Sequence, residues 1–231
     1  MSTVRILRLY PDLLDLYGDG GNLMAITHRL EEMGHTAIVD AMELSSPKDL
    51  AAYDLIAVGA GKSRNLFAAM EDFLPMRDQL SRAVENGTTV LATGSGMILL
   101  GRSFRLGDQT AEGAGIFDYS AEETGEVSIS DCIVTCDGVE GKLYGFSNMT
   151  ASVSYGEVPN LFAMEKGSIG RDGMEGMQKG RCYATTLLGP ILAKNPFFLR
   201  KILQDLLGDG YREPSDALAV EAWHRTISEF E

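Results

Sequence analysis

Basic side chains are in short supply: 20 Lys and Arg stand against 33 Asp and Glu, a formal net charge of −13. Nucleic acid and anionic membrane are bound through Lys/Arg patches. The cations here are scattered, so neither is expected as a partner, and the acidity reads as solubility. Cysteine is also sparse. Cys132, Cys136 and Cys182 are too few for a disulfide framework in a chain of 231 residues. Cys132 and Cys136 fall in one apparent strand, on one face, about 13 Å apart at roughly 3.3 Å per residue. That span is too long for a disulfide or for a single metal ion. The three histidines, His28, His35 and His224, lie far apart. Neither a metal site nor a cofactor is expected. No apolar run approaches the roughly 18 residues of a membrane span. The N-terminus, MSTVRILRLYPDLL, turns polar too soon for a secretory signal. A cytoplasmic protein without a membrane span is the expectation.

What the chain does have is apolar material, 45% of its residues, enough for one large α/β domain. Internal repeats and linkers are not evident, and residues 1–231 read as a single domain. Val4–Tyr10 alternates as a strand. Asp19-Gly20-Gly21-Asn22 opens a helix carrying Leu23, Ile26, Leu30 and Met33, which Gly34 stops. Thr36–Ala41 is a second strand. Leu55–Val58, apolar throughout, is a third, of the kind covered on both faces. A helix-rich stretch runs to Asn86-Gly87, Thr88–Ala92 is a fourth strand, and Met97–Leu100 begins a helix. This rhythm predicts a mostly parallel sheet with helices on both faces.

Beyond Gly101 short strands replace long helices: Val127–Cys136, Leu143–Phe146, Leu161–Glu165 and Tyr183–Leu188. They predict an antiparallel or mixed half that extends the same sheet. Glu165–Arg181, with five glycines, reads as a mobile loop. Asn195-Pro196 reads as the N-cap and first position of a helix whose apolar face is Phe198, Ile202, Leu203 and Leu206. A last helix is expected from Ser215 to about Phe230.

Three stretches hold candidate chemistry. TTVLATGSGMILLG (Thr88–Gly101) is a buried strand turning sharply through small residues, the frame that lifts a nucleophile into solvent. A Gly-x-Ser-x-Gly motif centred on Ser95 fails, because Thr93 and Met97 flank it. The frame in which a glycine follows the nucleophile by two residues puts the nucleophile at Gly94, which has no side chain. GAGKS (Gly59–Ser63) resembles the end of a phosphate-binding loop, but Ile56 stands where that loop needs glycine. It reads instead as a tight turn of small residues or as an oxyanion loop. YGDGGN (Tyr17–Asn22) reads as an ordinary turn and cap, or as an anion site at a helix start.

Taken with GFSNM (Gly145–Met149) and TTLLGPILAKNP (Thr185–Pro196), these pieces resemble, in order and spacing, the GatD-like glutamine amidotransferase subunits of lipid II isoglutaminyl synthases. Those subunits belong to the CobB/CobQ-like branch of triad amidotransferases, and the resemblance runs from about Val4 to the last helix. It implies a class I glutamine amidotransferase-like, flavodoxin-like fold. It also implies an elbow cysteine that attacks the glutamine amide, a histidine that moves the proton, and a Gly-rich loop that holds the oxyanion. The ammonia passes to a Mur-ligase-like partner. Position by position, the elbow cysteine corresponds to Gly94 and the histidine to Leu188. Met149 stands where the Gly-Phe-x-Asn segment often carries histidine. The oxyanion loop keeps Gly59, Gly61 and Arg64, with Ala60 between the glycines.

The expectation is therefore a domain that keeps the fold without glutaminase chemistry. It would serve as a structural or regulatory partner of an amide-forming enzyme, with Tyr17, Asp19 and Asn22 in a partner-facing or structural loop. One alternative is a pocket of Gly59, Gly61, Arg64, Ser95 and Asn148 that binds glutamine or a related amide without cleaving it. The other is an active glutaminase with an unrecognised nucleophile, supplying ammonia for cell-wall or cobalamin-type amidation.

Overall fold

The computed structural model describes residues 2–230. Five strands form its parallel centre: β1 (Thr3–Leu9), β2 (Thr36–Met42), β3 (Leu55–Val58), β4 (Thr89–Thr93) and β11 (Cys182–Thr185), in spatial order β2-β1-β3-β4-β11. β3, β4 and β11 are buried at every position, as expected for strands covered on both faces. Alternate residues feed two cores. Leu7, Leu9, Ile56, Val58 and Val90 pack with Leu66, Met70, Phe73 and Leu80 of α2 (Ser63–Phe73) and α3 (Arg77–Glu85). Ile6, Leu55, Ala57 and Leu91 pack with Leu23, Ile26 and Leu30 of α1 (Gly20–Glu32), and with Phe198, Ile202 and Leu203 of α5 (Pro196–Leu207). A last helix, α6 (Ala217–Ser228), buries Trp223 and Ile227.

Beyond β11 the sheet continues through β10 (Met174–Lys179), β9 (Asn160–Lys166) and β7 (Tyr119–Thr135) to β5 (Ser103–Leu106) and β6 (Gln109–Glu112). β8 (Leu143–Tyr155) pairs along β7. The second half does extend the first sheet, as expected, but its details differ from the expectation. Met97–Leu100 is helical but not α-helical: it lies in a 3-10 helix, Gly94–Leu100, that stops at Gly101. The hairpin β5–β6 was not foreseen. The central hairpin is far longer than its apolar runs, because polar Ser and Thr alternate through it. Glu165–Arg181 is not one loop. Its glycines at 167, 170 and 173 take positive φ around a turn, while buried Glu175 and Met177 carry β10 between them.

The segment after β11 is fixed by two buried asparagines. Asn22 Oδ1 accepts from the Leu192 N–H at 2.9 Å, holding α4 (Ile191–Lys194) against α1. Asn195 precedes Pro196 as expected, yet its side chain does not cap α5. Its Oδ1 accepts from Tyr144 N at 2.8 Å, and its Nδ2 donates to Tyr144 O at 2.7 Å and to Ile191 O at 2.8 Å. It thus pins β8 to the turn before α5. Asn195→Ala strips these bonds and leaves backbone groups unpaired in a buried place, so it is expected to destabilise by about 2–4 kcal/mol. Denaturant unfolding measures this; a loss within about 0.5 kcal/mol would contradict the pinning role.

Candidate functional site

β4 delivers the chain to Gly94 at φ +55°, a conformation that side-chain-bearing residues adopt under strain. The sharp bend of a nucleophile elbow is thus present. A Cβ built on Gly94 falls well inside contact distance of Leu188 Cδ2 and 2.8 Å from Ala60 Cβ. The two positions singled out from the sequence, Gly94 and Leu188, therefore face each other. Leu188 is buried and fills the space an elbow side chain would enter. Its N–H donates to Phe146 O at 2.8 Å, tying position 188 to β8.

The loop after β3 lies directly against this bend. A Cβ at Gly59 would collide with Leu14 O and Asp19, one at Gly61 would strike Leu14 and Leu13 O, and one at Gly96 would strike Gly59 O. Three backbones approach closely here, which is why each turn is glycine. GAGKS is accordingly a packed turn leading into α2. Two of its donors are already engaged: Ala60 N donates to Asp19 Oδ2 at 3.0 Å, and Gly61 N donates to Ser95 Oγ at 3.0 Å. Ser95 Oγ donates in turn to Gly61 O at 2.9 Å. Ser95 is a clamp between elbow and loop, with its hydroxyl spent on backbone.

Asp19 is buried. Beyond Ala60 it accepts from Thr93 Oγ1 at 2.5 Å. Burial pushes its carboxyl above the usual range, against the hydrogen bonds from Thr93 and Ala60. Asp19 and Asn22 are interior structural residues. From YGDGGN only Tyr17 reaches the surface cleft, its ring edge-on to Phe146 at 5.7 Å.

A cleft of about 280 Å³ opens beside the bend. Tyr17, Gly61, Ser63, Ser95, Asn148 and Met149 are among its walls. Of the predicted pocket residues it brings together Gly61, Ser95 and Asn148. It leaves out Gly59, which lies beneath Asp19, and Arg64, which stands exposed on the first turn of α2. The Asn148 side-chain amide makes no hydrogen bond among the described residues. Sequence reasoning missed a polar wall opposite: Ser63 Oγ donates to Glu123 Oε2, and Thr150 Oγ1 donates to the same oxygen at 2.8 Å. These come from three distant elements, and no local pattern joins them.

No cysteine substitutes for Gly94. All three are buried away from the bend. Burial lifts Cys132 and Cys136 to about 11 and Cys182 to about 12, so none is a thiolate near neutrality. Among the described residues, no group of three His, Cys, Asp or Glu forms a metal cluster, and no helix is long and apolar enough to cross a membrane.

A half-parallel sheet wrapped by helices, with an elbow after one central strand and a glycine turn after the next, defines a glutamine amidotransferase-type α/β domain. A crystallised glutamine amidotransferase shares the fold, with TM-score 0.57 and 15% identity over 87% of this chain and 98% of its own. So does the acivicin-bound glutaminase domain of Trypanosoma brucei CTPS, with TM-score 0.56 and 13% identity over 91% of this chain and 96% of its own. The sequence model of the CobB/CobQ-like glutamine amidotransferase domain matches residues 5–196, and the chain belongs to that family. Similar proteins include the GatD subunits of lipid II isoglutaminyl synthase (glutamine-hydrolyzing) from Streptococcus pneumoniae R6 and Staphylococcus aureus N315. The first is 23% identical over 94% of this chain and 86% of its own, the second 26% over 84% and 81%.

Two predictions follow from the packing. Gly94→Ala combines a strained φ with overpacking against Leu188, and is expected to cost about 2–4 kcal/mol. Leu188→Ala alone leaves a void costing about 2–5 kcal/mol. The double variant should lose at least about 1 kcal/mol less than the sum, because the new methyl enters the new space. Additive losses in a denaturant cycle would mean the two side chains do not meet.

The second concerns Glu175, fully buried beneath the turn that carries Leu188. It accepts from Thr185 Oγ1 at 2.6 Å, Thr186 N at 2.7 Å and Thr186 Oγ1 at 2.9 Å. Burial raises its carboxyl above the ordinary value, outweighing these bonds. A raised folded-state value means the folded protein holds the proton more tightly than the unfolded one. That stability is complete below the unfolded value and is lost as pH rises through the folded value. Stability relative to Glu175→Gln should therefore fall as pH rises above the ordinary glutamate value of about 4; a relative gain with rising pH would reverse the assignment.

Proposed function

We propose that this chain is a GatD-like amidotransferase subunit that no longer hydrolyses glutamine and serves as the protein partner of a Mur-ligase-like amidating enzyme of cell-wall synthesis. One observation carries the first half: Leu188 faces Gly94 where thiolate and imidazole would have to meet. Attack on an amide needs a nucleophile, a base and free donors for the oxyanion. Glycine and leucine supply neither of the first two. The N–H groups of Ala60 and Gly61 already bond to Asp19 and Ser95.

Support for the partner half is the relatives' names, which call them subunits, together with the rim of the cleft. Leu16 is 48% exposed and Ile129 64% exposed. Ile129 pairs with cleft-lining Asn148 across the β7–β8 ladder. Farther along β8, Lys194 lies over the Tyr144 ring at 4.6 Å and 5.9 Å from the Phe146 ring, adding a cation to this strand's apolar surface, a mixture that interfaces use.

A second reading, non-cleaving capture of glutamine or another small amide, is favoured by the open cleft and the unpaired Asn148 amide. Calorimetry with glutamine separates the two, since heat abolished by Asn148→Ala would favour it.

The protein is expected to release no ammonia from glutamine above background, alone or with a co-expressed Mur-ligase-like protein, while co-purifying with that protein. Ile129→Lys should weaken the association at least about tenfold, the loss of a central apolar contact. Ammonia release at rates ordinary for enzymes, about 1 per second or faster, would overturn the non-hydrolysing reading. Co-expression without association would overturn the partner reading.

A further inference from the structure

Behind Met149 lies a second cleft of about 510 Å³, over the β7–β8 hairpin and under the 168–170 turn. We propose that it is a binding site for a neutral polyhydroxylated ligand, a monosaccharide or disaccharide. This inference is independent of the functional reading above.

The sheet face beneath it is unusual. At a buried hairpin one expects Val, Leu or Ile facing inward. Here buried Ser130 pairs with buried Ser147, and further along the ladder exposed Ser128 pairs with Met149. Ser147 is 1% exposed, lines the cleft, and its hydroxyl has no hydrogen-bond partner in the protein. An orphaned buried hydroxyl costs about 1–3 kcal/mol, a cost that a water or a ligand hydroxyl entering from the cleft would offset. Ser128, Ser152 and Ser168 are exposed on the cleft wall, and their hydroxyls make no hydrogen bond to protein among the described residues, so they stand open to a ligand.

The chemistry of the wall narrows the occupant. It contains no Lys or Arg, and its ionisable groups are Glu126 and the Tyr155 phenol. Burial pushes that phenol to about 12, keeping it neutral. Arg171, next to Gly170, lies over the Tyr155 ring at 5.3 Å, but its guanidinium is committed to Val158 O and Asn160 Oδ1, and a carboxylate or phosphate would meet Glu126 on the wall. A purely apolar ligand would bury four unspent hydroxyls, each at a cost. Val153, Ile169 and Met149 supply apolar walls between the hydroxyls. Alternating hydroxyl and hydrocarbon matches the equatorial hydroxyls and C–H faces of a pyranose. The volume is within the range of small-ligand sites.

The test is a titration followed through backbone amide NMR shifts, with glucose, maltose and N-acetylglucosamine as probes and glutamine as the competing class. At least one sugar should shift the amides of residues 147–153 and 168–170. Ser147→Val removes the orphaned hydroxyl at nearly constant volume. It should weaken that response roughly fivefold to tenfold, the equivalent of one hydrogen bond. Ser152→Val, on the exposed rim, gives the same reading should Ser147→Val fold poorly. The proposal is overturned if no sugar shifts these amides, if both variants respond like the parent, or if glutamine alone produces the shifts.

Discussion

One buried carboxylate holds the site region together. Asp19 bonds to the Ala60 N–H and the Thr93 hydroxyl, so the loop after β1, the loop after β3 and the end of β4 are fixed to one another. Gly59, Gly61 and Gly96 are glycine because that fixation draws three backbones within contact of one another. Everything at the carboxyl ends of the parallel strands inherits this spacing: the bend at Gly94, the clamp by Ser95, and the cleft between Tyr17 and Asn148. Burial opposes the charge on Asp19 and the two hydrogen bonds support it. The constraint therefore acts through geometry more than through net electrostatic stabilisation.

That frame is indifferent to chemistry. The strained φ at residue 94 persists with no side chain to present. Glycine relieves the strain, and Leu188 uses the freed volume for packing. On the non-hydrolysing reading, apolar contact stands in place of a polar pair, an exchange that close-packed interiors favour where no reaction requires the polar groups. The same logic accounts for Ser95, whose hydroxyl satisfies both the N–H and the C=O of Gly61 in a place where an unpaired backbone group would be expensive.

Legibility in the sequence followed the physics of each segment. Leu55–Val58 was readable because a strand buried on both faces must be apolar at every position. The turn at Gly34 was readable because only a positive φ explains it there. β10 was not, since its inward residues include Glu175, whose burial depends on Thr185 and Thr186 from another strand. The length of the hairpin was hidden for a related reason: inward serines break the apolar alternation that marks a strand. Gly94 and Leu188 were visible only through the spacing of surrounding motifs, and their facing each other is a tertiary fact. Arg64 was drawn into the pocket by its neighbours in sequence. The helix turns it outward, and nothing local indicates that.

The survival of YGDGGN and LGPILAKNP argues less for function than their specificity suggests. Gly21 lies against Pro190 with no room for a Cβ. Asn22 holds Leu192, and Asn195 holds Tyr144. Gly21, Asn22 and Asn195 are thus accounted for by packing or by a satisfied backbone group, and selection for folding alone would retain them, whereas Tyr17 and Lys194 lie at the surface. Features that folding does not require are the ones that bear on role. An exposed Ile129 beside the first cleft contributes nothing to the core, and the unpaired Ser147 hydroxyl subtracts from it. A marginally stable fold sheds such costs readily. Their presence on the two sides of Met149 is the ground on which both proposals, the protein partner and the polyhydroxylated ligand, rest.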